Sequence, residues 1–159
     1  YANKEIKLAA IETLALSPEP LAQRVLFAFF QDEDEEIVAA AADALRCPCE
    51  KALLERIVRM ISAGPFHGRG TRAKIAIVSF LARTGTPEAL RELRKVVERS
   101  GIFARARRQH TRLCAVEALA ALGTPGAREL LERGQKSSNK EVSEACRRAL
   151  DRSLNKARS

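Results

Sequence analysis

The chain has 159 residues, 30% of them charged and 46% apolar, and a net charge of +8. That composition is the one expected of a single soluble globular domain, which buries roughly 70% of its unfolded surface. No stretch approaches ~18 uninterrupted apolar residues, which excludes a membrane-spanning helix.

Charge is unevenly spread. Residues 1–50 carry net −6, residues 51–110 net +10 and residues 111–159 net +4. The middle of the chain is therefore the part suited to meet negative charge.

The first predicted helix, near 4–16, carries Ile6, Leu8, Ile11, Leu14 and Leu16 and is apolar around more than one face. A terminal helix of a stack should have a polar outer side. This one is expected to pack on missing upstream repeats or on a second copy. The chain starts at Tyr1 rather than Met, which suits a piece of a longer protein.

Leu21, Val25, Leu26 and Phe29 form the next amphipathic stretch, after the candidate N-cap and proline pair Ser17-Pro18. The acidic run from Asp32 to Glu36 follows. An EF-hand loop starting at Asp32 would want glycine at 37 and glutamate at 43, but Ile37 and Asp43 stand there. Negative charge at a helix N-terminus explains the run, with an acidic docking patch as the other reading. Cys47-Pro48-Cys49 lacks the Cys-x-x-Cys spacing of zinc and redox sites.

Further helices are predicted from Leu53, Leu54, Ile57, Val58 and Ile61, from Leu90, Leu93, Val96 and Val97, and from Ala127, Leu130 and Leu131. Thr86-Pro87 and Thr124-Pro125 supply N-caps, and Gly85 and Gly123 sit where the preceding helices should stop.

Five phrases of apolar and small residues end on Leu14, Leu45, Leu81, Leu119 and Leu150, spaced 31, 36, 38 and 31 residues apart. That period predicts stacked helix pairs. The second helices fall near 4–16, 35–46, 71–84, 109–122 and 139–154. Cys114 and Cys146 occupy small-residue positions of the phrase and read as buried thiols. Free thiols fit a reducing cytoplasm.

On these residues the chain resembles bacterial HEAT-like repeats, an armadillo-like α-solenoid family. The resemblance implies an all-α, right-handed α-solenoid (superhelix) of about four and a half antiparallel helix pairs in one domain, 1–159. It also implies a ladder in which a basic residue on the second helix meets an aspartate of a neighbour. Lys7, Lys74 and Arg112 match the basic position, while Val38 and Ser143 replace it.

Two of the intervals hold lengthened turns, Gly64 to Gly70 and Gly101 to His110. The candidate binding surface comprises Phe66, His67, Arg69, Arg72 and Lys74 with Phe103, Arg105, Arg107, Arg108, His110 and Arg112. The plainer reading of each phenylalanine is that it tucks back over its helix pair. The histidines read as loop residues, since no carboxylate or cysteine was found to orient them as bases or ligands. No phosphate loop is expected, because Arg69 stands where its second glycine is needed.

No catalytic constellation, metal site or cofactor is called for, so the expected function is a non-enzymatic adaptor or scaffold. Its partner would be another protein, an acidic one by charge. The alternative is DNA-backbone binding by the basic middle, for which HEAT-like alkylpurine DNA glycosylases are the family precedent. A bilin lyase-like enzyme is a remote third, supported by nothing beyond the repeats.

Overall fold

The computed structural model describes residues 2–98 and 105–157, and no strand occurs among them. Ten α-helices run through the described residues: α1 (Ala2–Leu16), α2 (Pro20–Ala28), α3 (Glu35–Ala44), α4 (Lys51–Ser62), α5 (Gly64–His67), α6 (Thr71–Thr84), α7 (Pro87–Glu98), α8 (Arg105–Leu122), α9 (Pro125–Gly134) and α10 (Lys140–Ala157). A 3-10 turn, Phe29–Gln31, extends α2.

Local chemistry explains most of the boundaries. The Thr124 hydroxyl accepts from the Ala127 N–H at 3.3 Å, and Thr86 does the same for Ala89. Each satisfies a donor at a helix start that has no partner within the helix. Gly85 and Gly123 close α6 and α8 at φ 61° and 64°, a left-handed turn that glycine takes without steric cost. Ser17-Pro18, by contrast, does not open α2. Glu19 precedes Pro20, which pushes it to an extended ψ of 135°, so the helix can begin only at Pro20.

The expected loops are shorter than their sequence suggests. Gly64 to His67 forms the short α5, and Arg105, Arg107 and Arg108 lie in the first turns of α8. Arginine and alanine are good helix formers, and that run extends α8 back from the expected start near 109.

Packing proceeds in two rows. Helix α1 lies on α3, α3 on α6, α6 on α8, and α8 on α10. Beside them α4 lies on α7 and α7 on α9, while α2 packs on α1 and α3. Alanines at the crossings, among them Ala41, Ala42, Ala73 and Ala115, are fully buried and let backbones approach closely.

The phrase-ending leucines fill the space beyond these crossings. Leu45, Leu81 and Leu119 are buried, and truncating either of the two fully enclosed ones, Leu81 or Leu119, to alanine should cost about 2–5 kcal/mol. Leu14 is only half-buried, because α1 has a neighbour on one side alone. On its open side and on α2, Ile6, Leu16, Leu21 and Val25 stay exposed. No described helix is long and apolar enough to cross a membrane.

Candidate functional site

The N-terminal turns of α1, α3, α6, α8 and α10 are tied together by polar side chains along one edge. At the start, Lys7 meets Asp32 at 2.7 Å, and Lys4 bridges Asp34 and Glu36 at 2.8 and 2.7 Å. Asp34 also caps α3 by accepting from the Glu36 N–H. The acidic run thus caps a helix and anchors α1, and these bonds hold Asp32, Asp34 and Glu36 below the usual carboxylate range.

Glu35 turns the other way, toward the start of α6. A Cβ at Gly70 would overlap the Glu35 carboxylate, so a side chain there would make Glu35 shift. This contact places a negative charge at a helix N-terminus, where the helix dipole favours it. Glu36 reaches Arg72 at 3.9 Å, an exposed pair worth little.

The next step of the edge is built on Lys74, which is fully buried. Its ammonium donates to the His67 carbonyl at 2.9 Å and to His110 Nδ1 at 2.8 Å. With Nδ1 accepting, the His110 ring proton lies on Nε2, which donates to Thr71 Oγ1 at 2.9 Å. Cys114 Sγ lies 3.6 Å from the same nitrogen. The expectation that no cysteine stands near either histidine is therefore wrong: His110 and Cys114 are one helical turn apart on α8.

His67 Nδ1 lies 3.1 Å from Thr111 Oγ1, whose hydroxyl donates to the Arg107 carbonyl. The hydroxyl is thus free to accept, and His67 Nδ1 carries the proton. Burial pulls the His67 imidazole below its ordinary value, and Arg108 and Lys74 press the same way. Burial likewise lowers the Lys74 ammonium.

A register explains why Lys74 lacks a carboxylate. Lys7, Lys74 and Arg112 each lie 7 positions before the leucine of their phrase. Lys7 and Arg112 reach forward 25 residues, to Asp32 and to Ser137 Oγ. Both acceptors stand 13 positions before the next phrase's leucine, where the position facing Lys74 is Ala106. Residues 99–106 contain no aspartate or glutamate. Lys74 therefore turns to a carbonyl and an imidazole.

Arg112 is also buried, and its Nε donates to the Val97 carbonyl at 2.8 Å. It ties α8 to the end of α7 and to the approach of α10. Gln109 continues the edge, exchanging hydrogen bonds with Asn139 and donating to Glu141 at 2.7 Å.

These positions divide the sequence-derived candidates. Phe66, at 1% exposure, Lys74 and Arg112 are core residues, which removes them from any surface that a partner could touch. Phe66 packs edge-on against His67. Arg107 is exposed and Arg69 half-buried, and the Arg107 guanidinium lies beside the turn that carries Arg69, since a Cβ at Gly68 would lie 3.7 Å from Arg107 Nη1. Neither makes a side-chain hydrogen bond or ion pair among the described residues. Phe103 lies outside the described residues, as does the side chain of Arg105.

Behind this edge lies a cavity of about 70 Å³ between α4, α5, α7 and α8. Ser62, His67, Glu92, Lys95, Arg108 and Arg112 supply its polar walls. Glu92 accepts from the Ser62 hydroxyl and from Lys95 at 2.8 Å. Arg108 Nε is buried with no acceptor, a condition that costs about 1–3 kcal/mol in a protein interior. Sequence reasoning did not reach Ser62, Glu92, Lys95 or Thr111. Only Ser137 carried a legible signal, through its position relative to Leu150.

Among the described residues no group of three or more His, Cys, Asp and Glu side chains is arranged to hold a metal ion. The geometry defines an all-helical protein with a buried polar seam and a basic edge. No family model, curated protein or solved structure matches this chain.

Proposed function

We propose that this chain is a HEAT-like repeat protein, with its helix pairs stacked as a right-handed α-solenoid. In this reading it is a non-enzymatic adaptor that binds an acidic protein surface along the α5, α6 and α8 edge. The two helix rows support the first part, as do the matching registers of Lys7 with Asp32 and Arg112 with Ser137. Four free thiols suit the cytoplasm as its setting.

One observation carries the binding reading. Arg69, half-buried between α5 and α6, and Arg107, exposed at the start of α8, have no counter-charge bonded to them among the described residues, while Arg72 and Lys74 are engaged. Arg72 faces Glu36, and Lys74 is enclosed. Unpaired arginines favour carboxylate partners, to which the guanidinium offers a planar fork.

A nucleic-acid backbone fits less well. Glu35 and Glu36 interrupt the basic edge, and among the described residues Phe66 is buried and offers no ring for a base to stack on. The test is capture of partners by the wild-type chain and by Arg69→Glu/Arg107→Glu, with circular dichroism as the folding control. Proteins retained by the first and lost from the second support the adaptor. Duplex DNA binding that falls by roughly 10³–10⁵ between about 50 and 200 mM salt would replace it with the DNA reading.

A further inference from the structure

We propose that the cavity between α4, α5, α7 and α8 is a binding site for a phosphate-class oxyanion, held by Arg108 and Arg112. The inference stands apart from the adaptor reading, because it needs no protein partner and uses residues behind the edge rather than on it.

Size permits it. A cavity of about 70 Å³ is several times the ~10–15 Å³ that admits one water, so a group of a few heavy atoms has room. Charge favours it. The walls bear Lys95, Arg108 and Arg112 against the single carboxylate of Glu92. Glu92 accepts from Lys95 and from the Ser62 hydroxyl, and with three cationic side chains to one carboxylate the lining is net positive.

Hydrogen bonding requires an acceptor there. Arg108 Nε is buried without one, and interiors almost always satisfy such a donor. Arg108 has no other hydrogen bond or ion pair among the described residues, so its planar fork is uncommitted. Arg112 is held rigid by the Val97 carbonyl and Ser137. One fixed and one uncommitted guanidinium, a helical turn apart on α8 and both lining a small cavity, suit a doubly charged tetrahedral oxyanion, which accepts several donors at once. A water molecule could satisfy the Arg108 N–H but would leave the net positive lining uncompensated. His67, kept neutral by burial and by Arg108 and Lys74, adds no opposing charge.

The ion could be free or carried on a partner's phosphorylated side chain. The experiment therefore has two arms: calorimetric titration of the full chain with inorganic phosphate, and with a phosphoserine peptide beside its unphosphorylated twin. Sodium chloride holds the ionic strength constant. The wild type is expected to bind phosphate, and Arg108→Gln to weaken it at least tenfold. Arg108 has no bond to lose among the described residues and its buried N–H lacks an acceptor, so that variant should melt no lower than the wild type. Phosphate binding with no gain from the peptide identifies a free ion; a preference for the phosphopeptide identifies a partner-borne group. The proposal is overturned if neither probe binds above the chloride control, or if Arg108→Gln binds as tightly as the wild type. Arg69→Glu/Arg107→Glu lies outside the cavity walls, so the adaptor reading and this one can fail separately.

Discussion

Lys74 donates to His110 Nδ1 at 2.8 Å, whereas Lys7, at the same place in its own phrase, meets the Asp32 carboxylate at 2.7 Å. The difference follows from the residue that each could reach in the next phrase, an aspartate for Lys7 and Ala106 for Lys74. Ala106→Asp should therefore give the buried ammonium a carboxylate and raise stability by about 1–2 kcal/mol. An acidic residue in the first turn of a helix contributes ~0.3–1 kcal/mol by itself. Urea unfolding of Ala106→Asp with and without Lys74→Met separates the two effects. A gain that persists undiminished without the ammonium would refute the register.

Arg112 is expected to be structural. Its truncation to alanine removes the bond to the Val97 carbonyl, the bond to Ser137 and a buried alkyl stem. A loss of about 3 kcal/mol in unfolding free energy should follow. Substitution of exposed Arg107 by alanine should fall within about 0.5 kcal/mol of the wild type.

Gly134 marks the closest approach between α9 and its neighbours. A Cβ there would meet Cys146 Sγ at 2.6 Å and Val97 Cγ1 at 2.9 Å. Gly134→Ala should cost about 1–3 kcal/mol through overpacking, despite alanine's better helix propensity. Pairing it with Cys146→Ala should recover part of the loss, measurable by thermal unfolding. The Cys146 thiol itself, pushed up to about 11 by burial, should resist alkylation until the chain unfolds.

His67 gives stability a pH dependence of definite sign. Its pKa is lowered in the fold, by burial first and then by Arg108 and Lys74, so the unfolded chain takes up the proton at higher pH than the folded one. The contribution is complete above the ordinary value of about 6.5 and is lost as pH falls below it. One proton limits the slope to about 1.4 kcal/mol per pH unit. Melting temperatures between pH 7.5 and 5.5 should decline in the wild type and decline less in His67→Gln. The lowered carboxylates of Asp32, Asp34 and Glu36 act in a separate window, losing their contribution only as pH falls below about 4.

The helical architecture was legible because its signals are local. Leu81 and Leu119 sit at helical spacing from small residues, and Gly85 and Thr86 punctuate the chain on chemistry that needs no tertiary context. The site was less legible. Lys74 and Arg112 lie beside basic loops and look exposed, yet packing encloses both, whereas Phe66 is buried as the plainer reading of its loop expects. Lys74 and Arg112 can be buried because His67 on α5, Val97 on α7 and Ser137 in the turn before α10 supply acceptors. The cavity was invisible, since Glu92, Lys95 and Arg108 meet only when α7 and α8 pack together.

The central claim is that the edge bearing Arg69 and Arg107 recognises an acidic protein. The most direct measurement is the dissociation constant of a captured partner for the wild-type chain and for Arg69→Glu/Arg107→Glu, both verified as folded by circular dichroism. The double reversal should weaken binding by at least tenfold, and the wild-type affinity should fall as salt rises. Equal affinity of the two proteins for that partner would contradict it.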